Sequence, residues 1–321
     1  MSKYFDTKDL TFMSPQINEN GRHMVMTNVH QEEKTKFVNI DTRFQDDYNY
    51  NNHADLTCTL PQRIQNVKSM KVTNIEIPAT FYHFSQNRKN TYFLIKNETN
   101  PNDVNVPIRI PDGNYTSSTL FGAIHDVMTT SENGILDLDI SFSEVDICGN
   151  NANRVEMYHH NDSGDNSTYT IQFDVDEKGN SDKYNFKSKL GWALGFRDRE
   201  YELTPNGYHE ADAMVDIHPF RYIYLVVDEF ANQNPNSFIA PSFSSYMNPN
   251  ILARVSLDPN TYSFGDIIVA NINGGKLLTD IRTYSGKTDI QRLHIKLIDE
   301  WGNTVDLNKM DFSFSLEIRY E

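Results

Sequence analysis

Apolar and polar residues alternate along most of this chain, a pattern typical of β-strands that bury one face. The alternation starts at Phe37 and is clear in residues 54–60, where Leu56, Cys58 and Leu60 share one face. We expect Pro61 to end this strand, because proline cannot donate a hydrogen bond to a neighbouring strand. Other segments with a strand pattern include residues 67–77, 91–96, 106–110, 169–175, 220–228, 251–257, 267–272, 293–299 and 312–320.

Two segments have helical spacing instead. Residues 117–129 place Leu120, Ile124 and Val127 on one side of a helix, and this side is expected to pack against a sheet. A shorter helix is predicted around Leu190 and Leu194. Both helices fall in long connections between strands.

The pattern therefore predicts an all-β protein with about ten strands, arranged as a single jelly-roll β-sandwich with one shared core. A double jelly roll needs roughly sixteen strands, and the chain is short for that. Residues 1–36 are polar and aperiodic, so we expect an extended or disordered N-terminal arm. No linker divides the remainder, which predicts one domain over residues 37–321.

The composition of the chain argues against several classes of function. A net charge of −15 argues against binding the nucleic-acid backbone, which requires clustered Lys and Arg. The N-terminus lacks the pattern of a secretory signal, and the apolar stretches are too short for a membrane-spanning helix, so a cytosolic site of synthesis is expected. Cys58 and Cys148, the two cysteines, each lie in an apolar segment and are expected to be buried thiols.

Histidines suggest no metal site. His159 and His160 are adjacent, so on a strand they face opposite ways, and surface positions are expected. The segment that begins at His209 (HEAD) lacks the second histidine of the zinc-protease helix, and a surface position is expected there too.

The acidic loops at residues 162–166 and 174–180 lack the closing Glu of a calcium loop, so solvated hairpin turns are favoured and a structural calcium ion is the alternative. Residues 272–277 (INGGKL) lack the first glycine and the Ser or Thr of a phosphate-binding loop. No nucleophile lies at a recognisable spacing from a base. We therefore predict a protein that is not an enzyme, with no catalytic, cofactor-binding or metal-binding residues and no cofactor.

Several segments, taken together and in order, resemble a known family. They are residues 37–44 (FVNIDTRF), 60–82 (LPQRIQNVKSMKVTNIEIPATFY), 111–116 (PDGNYT), 190–196 (LGWALGF) and 311–318 (DFSFSLEI). The set is similar to the jelly-roll penton and minor capsid proteins of the nucleocytoplasmic large DNA viruses. The resemblance spans roughly residues 37–320, and no single motif in it is specific.

This resemblance implies a structural component of an icosahedral capsid, made in the host cytoplasm and located in the virion. The favoured role is a penton protein that closes the five-fold vertices as a homopentamer. Its implied partners are copies of itself, the major capsid protein and other minor capsid proteins. Three alternatives remain: another minor capsid position beneath or between capsomers, a carbohydrate-binding β-sandwich and a β-sandwich hydrolase.

Overall fold

One long strand organises the structure, a computed structural model that describes residues 16–17, 23–24, 33–45, 53–99, 105–130, 140–146, 153–161, 164, 166–182, 186–230 and 250–321. This strand, β4, runs from Asp55 to Pro78. The other strands are β1 (Gln16–Ile17), β2 (His23–Met24), β3 (Lys34–Asp41), β5 (Tyr92–Asn97), β6 (Val106–Arg109), β7 (Ile140–Asp146), β8 (Asn153–His159), β9 (Tyr169–Gln172), β10 (Glu200–Leu203), β11 (Tyr208–Met214), β12 (Tyr222–Asp228), β13 (Ile251–Ser256), β14 (Ile267–Asn271), β15 (Leu277–Thr279), β16 (Arg282–Ile298) and β17 (Ser313–Tyr320).

The prediction that Pro61 ends a strand is wrong, because β4 continues through it. Among the described strands, the N-terminal half of β4 pairs only with β16, so its other edge needs no hydrogen-bond donor at a proline. The bend comes later, at Asn66, whose φ is 54° and whose backbone N–H donates to Asp289 Oδ1 over 3.0 Å. Beyond this bend β4 pairs with β17 and β14, and still with β16 at Val67, Ser69 and Met70.

β4 therefore belongs to two layers of antiparallel strands. One layer has the order β3-β17-β4-β14, with the C-terminal half of β4, and the other has the order β4-β16-β12-β13, with its N-terminal half. Two four-stranded layers connected in this way are the arrangement of a jelly roll. β15 extends the second layer beside β13. The predicted all-β fold is confirmed.

The core of this sandwich comes from the inward positions of both layers. In β17 the residues Phe314, Leu316 and Ile318 are buried, and the alternating polar residues face outward. β12 is buried on both faces, as its almost continuous apolar sequence predicts. β3 begins at Lys34, three residues before the expected start of the alternation at Phe37.

A second hydrophobic core, which the sequence did not predict, lies in the connection between β4 and β12. It is covered by a four-stranded sheet, β10-β9-β5-β6, and a three-stranded sheet, β11-β8-β7. We call residues 79–221 the insertion. Both predicted helices occur here, as α1 (Ser117–Thr129) and α2 (Leu190–Ala193). Leu120, Ile124 and Met128 of α1 are buried in this second core.

The two ends of the insertion meet in a cluster of aromatic side chains at the sandwich, which we call the neck. Phe81 and Phe220, at its two ends, pack edge to face with ring centroids 4.8 Å apart. His83 is buried beside them and lies 4.9 Å from the ring of His218. Arg88 stacks over Phe220 at 4.3 Å and forms ion pairs with Asp299 and Glu300 of the loop after β16.

A buried ion pair stabilises the opposite part of the sandwich. Arg282 Nη1 lies 2.6 Å from Glu229 Oε2, and the two side chains are 1% and 0% exposed. Tyr284 donates to the other carboxylate oxygen over 2.9 Å, and Arg282 also donates to the carbonyl of Val227 over 2.7 Å. Removing either charge would leave its partner buried without a counter-charge.

We expect Glu229→Gln to lower the free energy of unfolding by about 3–5 kcal/mol, because Arg282 stays charged and buried. Urea unfolding followed by circular dichroism measures this loss. Arg63→Gln, which breaks the exposed pair with Asp289, is the matched control and should cost at most about 1 kcal/mol. Equal losses in both variants would contradict a structural role of the buried pair.

The neck should make stability depend on pH. Burial, with a further contribution from His218, lowers the pKa of His83 from 6.5 to about 4. Below pH 6.5 the unfolded chain therefore binds a proton at this residue that the folded chain does not. The stabilisation is complete above pH 6.5 and is lost as the pH falls towards 4, by up to about 3 kcal/mol.

Urea midpoints between about pH 7 and 4.5 test this dependence. We expect His83→Phe to reduce the loss of stability on acidification, because the group that titrates has been removed. His125→Phe, at an exposed position on α1, should leave the dependence unchanged. An identical fall in stability for wild type and His83→Phe would show that His83 does not contribute.

Candidate assembly surfaces

The first candidate surface lies on β14, which is apolar on both faces. Ile268 and Ala270 are buried in the sandwich core, as expected for one face of a strand. Ile267 and Val269 point outward and are 65% and 53% exposed. The β14 surface consists of Phe264, Ile267, Val269 and Ile272.

The backbone of β14 is also open to a partner. Among the described strands it pairs with β4 alone, so its second edge carries hydrogen-bonding groups without a strand partner. Leu278 on β15 and Ile281 beyond it are exposed as well. Monomeric proteins usually protect such edges with charges, prolines or bulges, because an apolar edge strand associates with other chains.

The second candidate surface is a groove between β3 and the N-terminal half of β4. These two strands are edges of opposite layers, and the sandwich core opens between them. The groove has a volume of about 410 Å³, and its apolar lining is formed by Phe37, Val38, Ile40, Phe44, Leu56, Cys58, Leu60, Pro61 and Ile64. Phe37 and Phe44 are 68% and 80% exposed. We call this surface the β3 groove.

The two surfaces lie at opposite edges of one layer, because β3 and β14 are its outermost strands. At about 4.8 Å per strand, three spacings separate these edges by roughly 14 Å. The outward face between them is polar: Ser313 Oγ donates to Glu76 over 3.0 Å, and Lys71 pairs with Glu317 at 2.9 Å. The β14 surface and the β3 groove are therefore separate and different in shape.

Charged residues of both signs lie near each surface. Lys34, Lys36 and Asp41 lie on β3 beside the groove, and Lys36 Nζ donates to Gln62 across it over 3.3 Å. Asp266, Lys276 and Asp280 lie around β14 and β15. The two surfaces therefore differ in shape rather than in the sign of their charge.

The histidines that the sequence singled out lie apart from both surfaces. His160 is exposed as expected, and its ring nitrogen lies 2.7 Å from Ser141 Oγ. The expected surface position of His159 is wrong, because this residue ends β8 facing the insertion core and packs edge-on against Tyr169 at 5.3 Å. His209 is half-buried, and its Nε2 lies 2.7 Å from the carbonyl oxygen of Glu202.

The acidic loops fit turns. Asp176 accepts hydrogen bonds from the backbone N–H groups of Lys178 and Asn180, which closes the loop after β9. Parts of the loop at residues 162–166 lie outside the described residues. Within the described ranges, no group of three or more His, Cys, Asp or Glu side chains is placed to hold a metal ion.

The remaining candidates are structural. The Gly-Gly-Lys segment forms the turn between β14 and β15, where Asn271 Oδ1 accepts from the N–H of Asn273. Cys58 is half-buried at the β3 groove rather than fully buried, and Cys148 lies outside the described residues. Of the helices that the described residues form, neither is long and apolar enough to span a membrane.

Sequence reasoning missed both surfaces. The run Ile267 to Ala270 is apolar at every position, so it predicts a strand buried on both faces and does not show that one face is exposed. The sequence does show that this strand is short, because Gly265 and Gly274 mark turns on both sides of it. The β3 groove left no signal, because it depends on which strands end the two layers.

Comparisons with known proteins identify no family. No family model matches the chain, and no curated protein sequence matches it. The solved structures that match include the crystal structure of the selenomethionine-labelled mavirus penton protein, with 12% identity, 90% of this chain and 99% of that chain covered, and a TM-score of 0.44. The identity and the TM-score are both too low to support a functional argument. The role of this chain is therefore argued from its own surfaces.

Proposed function

We propose that this chain is a structural component of an icosahedral viral capsid, a penton protein that forms a closed homopentameric ring at the vertices. One observation carries the proposal: a jelly-roll layer exposes two different apolar surfaces at opposite edges. The ring forms when the β14 surface of each copy lies in the β3 groove of the next. A position in the virion and synthesis in the host cytoplasm follow from this role.

The geometry of the contact explains why a ring is favoured. A contact between two different surfaces is head-to-tail, so every added copy exposes the same two surfaces again. Such a series ends only when the rotation between neighbours closes the ring. The rigid sandwich fixes that rotation, and the resemblance of residues 37–320 to penton proteins supports five copies per ring.

The rest of the molecule supports a structural role. The buried Arg282–Glu229 pair and the long paired strands give a rigid unit, and the acidic chain disfavours binding to nucleic acid. In this proposal the loops and the arm before β3 make the contacts with the major capsid protein and with other minor capsid proteins. A different minor capsid position is the alternative, and it predicts monomers or trimers in place of pentamers.

Two charge variants test the ring. We expect Val269→Glu and Phe37→Glu each to abolish pentamers, because each places an unpaired carboxylate inside the contact, at a cost of several kcal/mol. Mass photometry of the purified proteins measures the distribution of oligomers. Tyr208→Glu, at an exposed aromatic residue of the insertion, is the control and should leave pentamers intact.

Mixing the two variants identifies the type of contact. The Val269→Glu protein keeps an intact β3 groove and the Phe37→Glu protein keeps an intact β14 surface, so the mixture should form one-to-one dimers and nothing larger. A contact between identical surfaces would give no new species on mixing. Pentamers that survive both substitutions would disprove the proposed contact, and a wild-type protein that is monomeric or trimeric would disprove the pentamer.

The arm gives a separate test of capsid incorporation. β3 begins at Lys34 and pairs with β17 along its length, so deleting residues 1–32 should leave the sandwich intact. We expect unchanged thermal unfolding and a weaker incorporation into particles when the shell proteins are expressed together. Loss of the folded state would show that the arm belongs to the core, and full incorporation would show that the arm makes no essential contact.

A further inference from the structure

The turn that follows β14 contains an Asn-Gly pair, Asn273–Gly274, which the fold holds only weakly. The chain has four such pairs, of which those at residues 20–21 and 133–134 lie outside the described residues. The remaining pair is Asn206–Gly207, in the turn between β10 and β11. Both described asparagines are exposed. Two copies of one dipeptide in different surroundings separate the effect of the fold from the effect of the sequence.

An asparagine that precedes a glycine can react without an enzyme. The backbone nitrogen of the glycine loses its proton and attacks the side-chain carbonyl carbon Cγ. The bond between Cγ and Nδ2 then breaks, and Nδ2 leaves as ammonia with that proton. Water opens the resulting five-membered imide at either carbonyl, which gives aspartate or isoaspartate. The reaction consumes only water, and glycine favours it because no side chain hinders the attack.

Few contacts hold the backbone at Gly274. Its N–H donates to the carbonyl of Asn271 over 3.2 Å, which is a long hydrogen bond at an exposed position. A side chain added at the next residue, Gly275, would meet nothing within 4 Å. Among the described residues, the side-chain amide of Asn273 has no hydrogen-bond partner. Little energy is therefore needed to bring the Gly274 nitrogen to Cγ of Asn273.

The other pair is held on both sides of its glycine. The N–H of Gly207 donates to the carbonyl of Thr204 over 2.7 Å, and the carbonyl of Gly207 accepts from the N–H of His159 over 3.0 Å. A side chain at Gly207 would lie 2.7 Å from the Thr204 carbonyl oxygen, so this turn is closely packed. Attack by the Gly207 nitrogen requires these hydrogen bonds to break first.

We propose that Asn273 is a site of spontaneous deamidation and that the fold protects Asn206 from the same reaction. The product places a carboxylate directly after Ile272, a member of the β14 surface. A charge at the edge of an apolar contact opposes the burial of that contact. Deamidation therefore weakens attachment of the β14 surface to the β3 groove, a consequence that rests on the proposed function. The reaction itself requires only a single copy of the chain.

Incubation at mildly alkaline pH, followed by digestion and mass spectrometry of each peptide, tests the reaction in the full-length protein. In the folded state Asn273 should convert about tenfold faster than Asn206, because the tighter turn has to open first. In concentrated urea, where neither turn exists, the two rates should agree within about threefold. Wild type and the Phe37→Glu protein are compared, because a ring that covers the turn would slow the reaction in wild type alone.

The chemical control is Asn273→Gln, which should show no conversion on this timescale because glutamine forms its cyclic imide far more slowly. Equal rates at Asn273 and Asn206 in the folded Phe37→Glu protein would overturn the proposal. Conversion of Asn273 that occurs only in urea would overturn it as well, because the turn would then be protective.

Mass photometry tests the consequence for assembly separately. Asn273→Asp should need about tenfold more protein to form pentamers than the matched variant Asn206→Asp, because only the first adds a charge beside the contact. If Asn273 converts and the two variants assemble alike, the consequence for the contact is wrong. If wild type forms no pentamers, the proposed function fails, and the rates measured by mass spectrometry still decide the deamidation.

Discussion

The pairing of β4 with three other strands is the interaction on which the rest of the structure depends. Its N-terminal half pairs with β16 alone among the described strands, and its C-terminal half pairs with β17, with β14 and with the first part of β16. A single bend at Asn66, fixed by Asp289, carries the strand from one layer to the other. The core lies between these layers because one continuous backbone holds them face to face.

This arrangement also decides where the open edges lie. A strand that crosses between layers leaves β3 and β14 at the ends of one layer and exposes the N-terminal half of β4 at the end of the other. The apolar β14 surface and the β3 groove are direct results of that order. The buried pair of Arg282 and Glu229 connects the start of β16 to the residue that follows β12, within one layer.

The sequence predicted the elements better than their connections. β17 was predictable because Phe314, Leu316 and Ile318 alternate with polar residues, and α1 because its apolar residues recur at helical spacing. The continuation of β4 through Pro61 was not predictable. A strand tolerates a proline only where the edge that the proline faces has no partner strand, and the order of strands in the whole layer decides which edges are free. The second core depends on contacts between distant segments and has no local pattern.

The neck of the insertion has a consequence for how such a molecule can diverge. The two chain segments that enter and leave the insertion meet at Phe81 and Phe220, whose rings are 4.8 Å apart. Beyond the contacts that Tyr82, Asn87 and Arg88 make with the sandwich, the insertion can change in length or sequence without altering the spacing of the sandwich strands. Substitutions in the insertion can therefore be selected separately from substitutions in the sandwich strands.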